Sequence, residues 1–141
     1  MIDFDQCIEK RLLKRIPPSK RQAEDQMKKA LVLLGEAKKS LKSNSPNTAV
    51  MSAYASIHDA GRAILFRDGY REKSHACVAR YLEAKYLKEI GFSRIDLLDE
   101  YRDKRHKTQY SGDYYPTLRE AKLVVSFAED FISKLEKLLK S

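Results

Sequence analysis

The sequence predicts an all-α protein, an up-and-down antiparallel bundle of about five helices. Three observations carry that prediction. Gly (5) and Pro (4) are scarce among 141 residues, and Trp is absent; a turn-rich β-fold would need more of the first two. Apolar residues recur at alternating steps of three and four over long segments, the period of one helix face. The breaks between these segments are short, and short connections force successive helices antiparallel.

The first sixteen residues carry a brief apolar pattern of Ile2, Phe4, Cys7, Ile8, Leu12 and Leu13, expected to clip an N-terminal extension, residues 1–18, onto the bundle. Pro17 and Pro18 then interrupt the chain. Ser19 followed three residues later by Gln22 reads as a capping box, opening a helix over about 20–43 with Ala23, Met27, Ala30, Leu34, Ala37 and Leu41 on one face. The segment KSNSPN ends it.

A second helix is predicted over about 47–67, with Val50, Tyr54, Ile57, Gly61, Ile64 and Leu65 as its apolar face and alanines at 49, 53, 55, 60 and 63 for close helix approach. Gly69 suits a left-handed C-cap. Ser74 is expected to cap a third helix that runs to about Ile90 and stops at Gly91. Ser93 is expected to cap a fourth, carrying Ile95, Leu98, Tyr101 and Arg105 and ending before the loop SGDYYP. Thr117 with Glu120 forms another capping box, opening a fifth helix with Ala121, Val124, Phe127, Ala128, Phe131, Leu135 and Leu138. Residues 1–141 read as one domain, without internal repeats, a βαβ unit or a Gly-rich phosphate loop.

Lys and Arg number 28 against 20 Asp and Glu, a formal charge of +8. Such an excess suits an anionic partner, whether RNA, nucleotide or an acidic protein; it equally suits solvated helix faces coated with Lys and Arg. The opening MIDFDQCIEKRLLKR has no uninterrupted apolar stretch, so neither a signal peptide nor a membrane span is expected, and the predicted location is cytoplasmic. Cys7 and Cys77 are the two cysteines, and neither has a second Cys or His near it at metal-ligand spacing. They are expected to be reduced thiols, with no metal site and no cofactor.

Chemistry concentrates in the fourth helix, LLDEYRDKRHKTQY. There Leu98, Arg102, His106 and Tyr110 succeed one another at steps of four and share a face. An apolar stripe that continues as Arg, His and Tyr either turns out to solvent or lines a polar groove or interface. Arg and His together can cut RNA without a metal: imidazole exchanges a proton with the 2′-hydroxyl or leaving oxygen, and guanidinium stabilises the anionic phosphorane. Arg102 and His106 are therefore candidate catalytic residues, and Arg102, Lys104, Arg105, Lys107 and Tyr110 are candidate RNA or nucleotide ligands. Tyr101, Tyr110, Tyr114 and Tyr115 surround this basic segment, where they serve base stacking or core packing. His58, in an Ala-rich apolar helix, reads as a hydrogen-bonded interior or interface histidine. His75 reads as a local helix-capping residue. Asp59 and Arg62, three apart, read as an ordinary ion pair.

The run SAYASIHDAGRAILFRDGYREKSH, Ser52 to His75, and the stretch YRDKRHKTQY, Tyr101 to Tyr110, resemble the two signatures of the HEPN family (higher eukaryotes and prokaryotes nucleotide-binding), and the resemblance covers about residues 19–139. It implies a helical bundle that pairs through a two-fold interface, with the two fourth helices approaching across a groove containing Arg102 and His106. Such domains are often encoded beside a minimal nucleotidyltransferase as toxin and antitoxin, and many are metal-independent ribonucleases. The family's catalytic signature has four to six residues between an arginine and a histidine, and a tyrosine two residues after that histidine. Here three residues separate Arg102 from His106, and aligning Tyr110 with the family tyrosine puts Thr108 at the histidine position. The resemblance implies a homodimeric helical component of a two-protein system with a nucleotidyltransferase, binding nucleotide, RNA or that partner. The alternatives are a metal-independent ribonuclease using Arg102 and His106, and a non-catalytic adaptor bundle.

Overall fold

Helix α2 (Lys20–Lys42) starts where the Ser19 hydroxyl accepts the Gln22 backbone N–H. The reciprocal half of the expected capping box is replaced by a tertiary bond: the Ser19 N–H donates to the carbonyl oxygen of Phe66 at 3.0 Å. Phe66 belongs to helix α3 (Pro46–Asp68), whose first turn accommodates Pro46 because an N–H at that position would have no helical partner. The computed structural model describes residues 1–141. Its remaining elements are helix α1 (Phe4–Glu9), strand β1 (Leu13–Arg15), strand β2 (Tyr70–Glu72), helix α4 (His75–Ile90), helix α5 (Phe92–Tyr110) and helix α6 (Leu118–Lys140). The protein is an all-α bundle carrying one two-stranded antiparallel ribbon, in which Leu13 faces Glu72 and Arg15 faces Tyr70.

Helix α3 runs through the centre and contacts α2, α4, α5 and α6. Its alanines and Gly61 let the other helices come close: a Cβ on Gly61 would stand 2.7 Å from Val78 Cγ1 of α4. Ile57, Ile64, Leu65, Leu82, Phe131 and Leu135 are almost fully withdrawn from water, and each such side chain contributes about 1.5–3 kcal/mol of transfer free energy. Gly69 ends α3 at φ 88°, the left-handed cap expected of it. Thr117 and Glu120 form both halves of the expected capping box at the start of α6. Two expected caps differ. Ser74 makes no side-chain cap bond, and α5 starts two residues early, directly after Gly91, so that Ser93 lies inside it. The closeness of α4 and α5 leaves no separate capping turn between them.

The N-terminal residues are tied down more firmly than a short apolar pattern suggests. Asp3 and Gln6 make a reciprocal capping box for α1, β1 pairs with β2, and Leu13 is buried. Cys7 and Cys77, expected as free thiols, are joined in a disulfide with a Cα–Cα separation of 5.9 Å. Helix α1 folds back against α4 and brings together two residues 70 apart in sequence, a proximity that local spacing cannot encode. In the chain-entropy picture a cross-link closing a loop of this length is worth about 4 kcal/mol. No helix is long and apolar enough to cross a membrane.

Candidate nucleic-acid interface beside helix α5

Helix α5 begins as a core helix, with Ile95, Leu98 and Tyr101 buried. Beyond Tyr101 one inward position remains, Thr108, which is buried and donates its hydroxyl to the Lys104 carbonyl at 2.8 Å. The face predicted from steps of four therefore rises out of the core: Leu98 is buried, Arg102 partly covered, and His106 and Tyr110 exposed with ring centroids 4.8 Å apart. Thr108, at the position aligned with the family histidine, faces the bundle instead.

Arg102, Arg105 and His106 line a cleft of about 360 Å³, whose opposite wall is the first turn of α4 at Ser74 and His75. Asp103 also borders it, with Lys107 Nζ 3.3 Å from its carboxylate. The other sequence candidates disperse. Lys104 turns to α6, where its Nζ donates to Glu120 at 2.7 Å. Glu120, held by Lys104 and by the Thr117 N–H, is drawn down to about 2. Tyr101 packs on Phe127 with centroids 5.2 Å apart, Tyr114 donates to Glu120, and Tyr110 and Tyr115 remain exposed. The tyrosines thus divide between core and surface. Arg102 donates to Asp99 at 2.7 Å, and the same carboxylate receives the buried Arg80 from α4.

His75 is the site residue that sequence reasoning misplaced. It does not cap α4. Its ring stacks on His58 at a centroid distance of 3.8 Å and an interplanar angle of 6°. Its Nδ1 lies 3.3 Å from the Tyr54 hydroxyl and 3.3 Å from an Arg105 guanidinium nitrogen. Guanidinium can only donate, so Nδ1 is an acceptor and the neutral ring carries its proton on Nε2. Partial desolvation within the stack on His58, reinforced by the His58 and Arg105 charges, lowers His75 to about 4 although one side of the residue still faces solvent, which keeps it neutral at pH 7.

Behind this pair, the His58 Nε2 sits 3.3 Å from Glu72, and His58 is the interior, partnered histidine that its helix suggested. Burial raises the Glu72 carboxyl, but the hydrogen bond with His58 and the charge of Arg62 outweigh it and leave the group below its ordinary value. Arg62 reaches Glu72 at 3.1 Å, so the ion pair expected with Asp59 is replaced by one to β2, which turns back beneath the helix. Tyr54, pushed up to about 12 by burial, completes the aromatic floor under Arg105, whose guanidinium lies 5.0 Å from its ring centre. Only the turn at Gly69 and the β2 segment bring His58 and His75 together, and neither periodicity nor spacing signals that meeting. No group of three or more His, Cys, Asp or Glu side chains is placed to hold a metal ion.

These features define a class: a helical bundle whose penultimate helix leaves the core to present arginine and histidine along a cleft. A family model for the HEPN domain matches residues 23–138, most of the chain, and the protein belongs to the HEPN domain family. No curated protein matches it.

Proposed function

We propose that this HEPN chain, acting as one domain, binds the phosphates of RNA or a nucleotide at the α4–α5 cleft as the helical member of a two-protein system with a minimal nucleotidyltransferase. The carrying observation is the convergence of Arg102, Arg105 and His106 on one cleft beside the first turn of a 16-residue helix. Guanidinium groups and a helix N-terminus both favour phosphate. The charge of +8 supports the same ligand class through long-range attraction. The cleft opens on the solvent-facing side of α5, the face on which this reading seats a second copy. Homodimerisation is part of the proposal.

A second reading, metal-independent RNA cleavage, is favoured by one observation: Arg102 and His106 border the same cleft despite their short spacing. One experiment separates the two. Purified wild type, Arg102→Ala and His106→Ala are incubated with structured and unstructured RNA in EDTA, and binding is followed by fluorescence anisotropy across a salt series. Salt-sensitive binding without cleavage is the expected result, each neutralised phosphate of a single strand adding about 0.7 to the slope of log K against log salt. Robust wild-type cleavage abolished by both substitutions would establish the ribonuclease. Absence of binding in dilute buffer would leave the adaptor. A nucleotidyltransferase frame adjacent to the gene, and co-purification of its product, tests the two-protein part.

A further inference from the structure

Six arginines are at least partly withdrawn from solvent: Arg62, Arg67, Arg80, Arg94, Arg102 and Arg105. Five have a carboxylate partner. Arg62 meets Glu72, Arg67 meets Asp68, Arg94 meets Asp130, and Arg80 and Arg102 share Asp99. Arg105 has none. Its guanidinium rests over the Tyr54 ring, one terminal nitrogen contacts His75 Nδ1, the other donates to Gln109 Oε1 at 3.1 Å, and Nε is buried without a partner. Every neighbour that holds it is neutral. A cation taken partly out of water is ordinarily matched by an opposite charge, and this one stands in the wall of the cleft.

We propose that Arg105, set in place by Tyr54, His75 and Gln109, is the principal ligand for a phosphoryl anion in this cleft, and that Arg102, tied with Arg80 into an ion-pair cluster with Asp99 and Glu83, is secondary. This rests on the reading of the cleft as a phosphate site and reassigns its main contact. Tyr54 and His75 are positioning residues: the phenol ring supports the flat face of the guanidinium, and the unprotonated Nδ1 accepts one N–H without supplying a competing negative charge. The lowered basicity of His75 keeps that acceptor available at neutral pH. The ligand class is a phosphate mono- or diester, since its anionic oxygens can accept guanidinium N–H groups in a paired, planar fashion. Lysine would preserve the charge and lose both the stack and the fork.

The test uses the full chain and two probes, a single-stranded RNA oligonucleotide followed by anisotropy and pyrophosphate followed through the guanidinium and imidazole ¹⁵N resonances. Arg105→Gln is expected to weaken RNA binding by about tenfold or more, the loss of a charged hydrogen-bonded contact. Arg105→Lys should recover only part of the loss, and Arg102→Gln should cost less than either. In the wild type, pyrophosphate should shift the Arg105 Nε–H resonance while His75 Nδ1 keeps the shift of an unprotonated nitrogen. RNA binding that is unchanged in Arg105→Gln but lost in Arg102→Gln overturns the inference and leaves the function standing. Pyrophosphate acting on Arg105 in a protein that ignores RNA keeps the inference and removes RNA as the ligand. If neither probe perturbs Arg105, both fall; the wild-type resonances decide this even if a variant fails to fold.

Discussion

Helices α6 and α5 lie next to each other in sequence and are built on opposite plans. In α6 the apolar stripe persists from Ala121 to Leu135, and Val124, Val125, Phe127, Ala128, Phe131 and Ile132 are all buried. In α5 four residues are buried, the last of them the threonine at 108, and the helix is instead held laterally by ion pairs: Arg94 to Asp130, Asp99 to Arg80, and Lys104 to Glu120. A stripe that stays apolar is stabilised by burial and has no side chains left for a ligand. A stripe that turns polar while keeping its helical period gives up that stabilisation, and its outer face becomes available. The same contrast separates Arg102 from Arg105, one turn apart along the cleft wall: the first is tied into the ion-pair scaffold, the second is left without a counter-charge.

The largest effect is expected in α6. Phe131→Ala should cost about 3–5 kcal/mol in urea unfolding, because Phe131 has no exposed surface and neighbouring helices cannot fully collapse into the gap. A loss below about 1 kcal/mol would show that α6 is not the rigid half of the molecule. Gly61→Ala should come next, at about 1–3 kcal/mol, since the new Cβ would stand 2.7 Å from Val78 Cγ1, so that Val78 or the helix carrying it must shift. Because α4 forms the far wall of the cleft, the same variant should also weaken RNA binding; unchanged affinity would mean that the cleft tolerates a displaced α4.

The smallest effect is a pH dependence of stability. His75 has an ordinary value near 6.5 in the unfolded chain and about 4 in the folded protein. Between those values the unfolded chain takes up a proton that the native state refuses, so stability should fall as pH drops from about 6.5 toward 4 and this contribution should then level off. Glu120, held down at about 2, acts in a lower window: its stabilisation is present above about 4.5 and is lost as pH falls toward 2. His75→Asn should flatten the stability profile between pH 6.5 and 4 and leave the more acidic limb. A wild-type profile already flat in the upper window would mean that the His58–His75 stack does not resist protonation.

Much of this architecture was legible in the residues. Helix ranges from periodicity agree with the structure to within a residue or two. The Thr117–Glu120 box and the Gly69 cap are where the sequence places them, and the face from Leu98 to Tyr110 was visible as a stripe that changes character. The family pattern pointed to α5, and Arg102, Arg105 and His106 do meet on one cleft. Other contacts were not legible. Lys104 is indistinguishable in sequence from the positive charges around it, and its position on the helix turns it to Glu120. His75 looked like a cap because it follows a serine at a helix start.

Neighbouring residues decide the helix periods, caps, turns and the faces on which apolar and charged side chains fall, all properties of residues within a few positions of one another. Tertiary structure alone decided the Cys7–Cys77 bond, the pairing of β1 with β2, the stack of His58 on His75, and the absence of a counter-charge beside Arg105. Each of these depends on where the chain returns after tens of residues. That path is set by the summed packing of all the helices on α3, and no local pattern contains it.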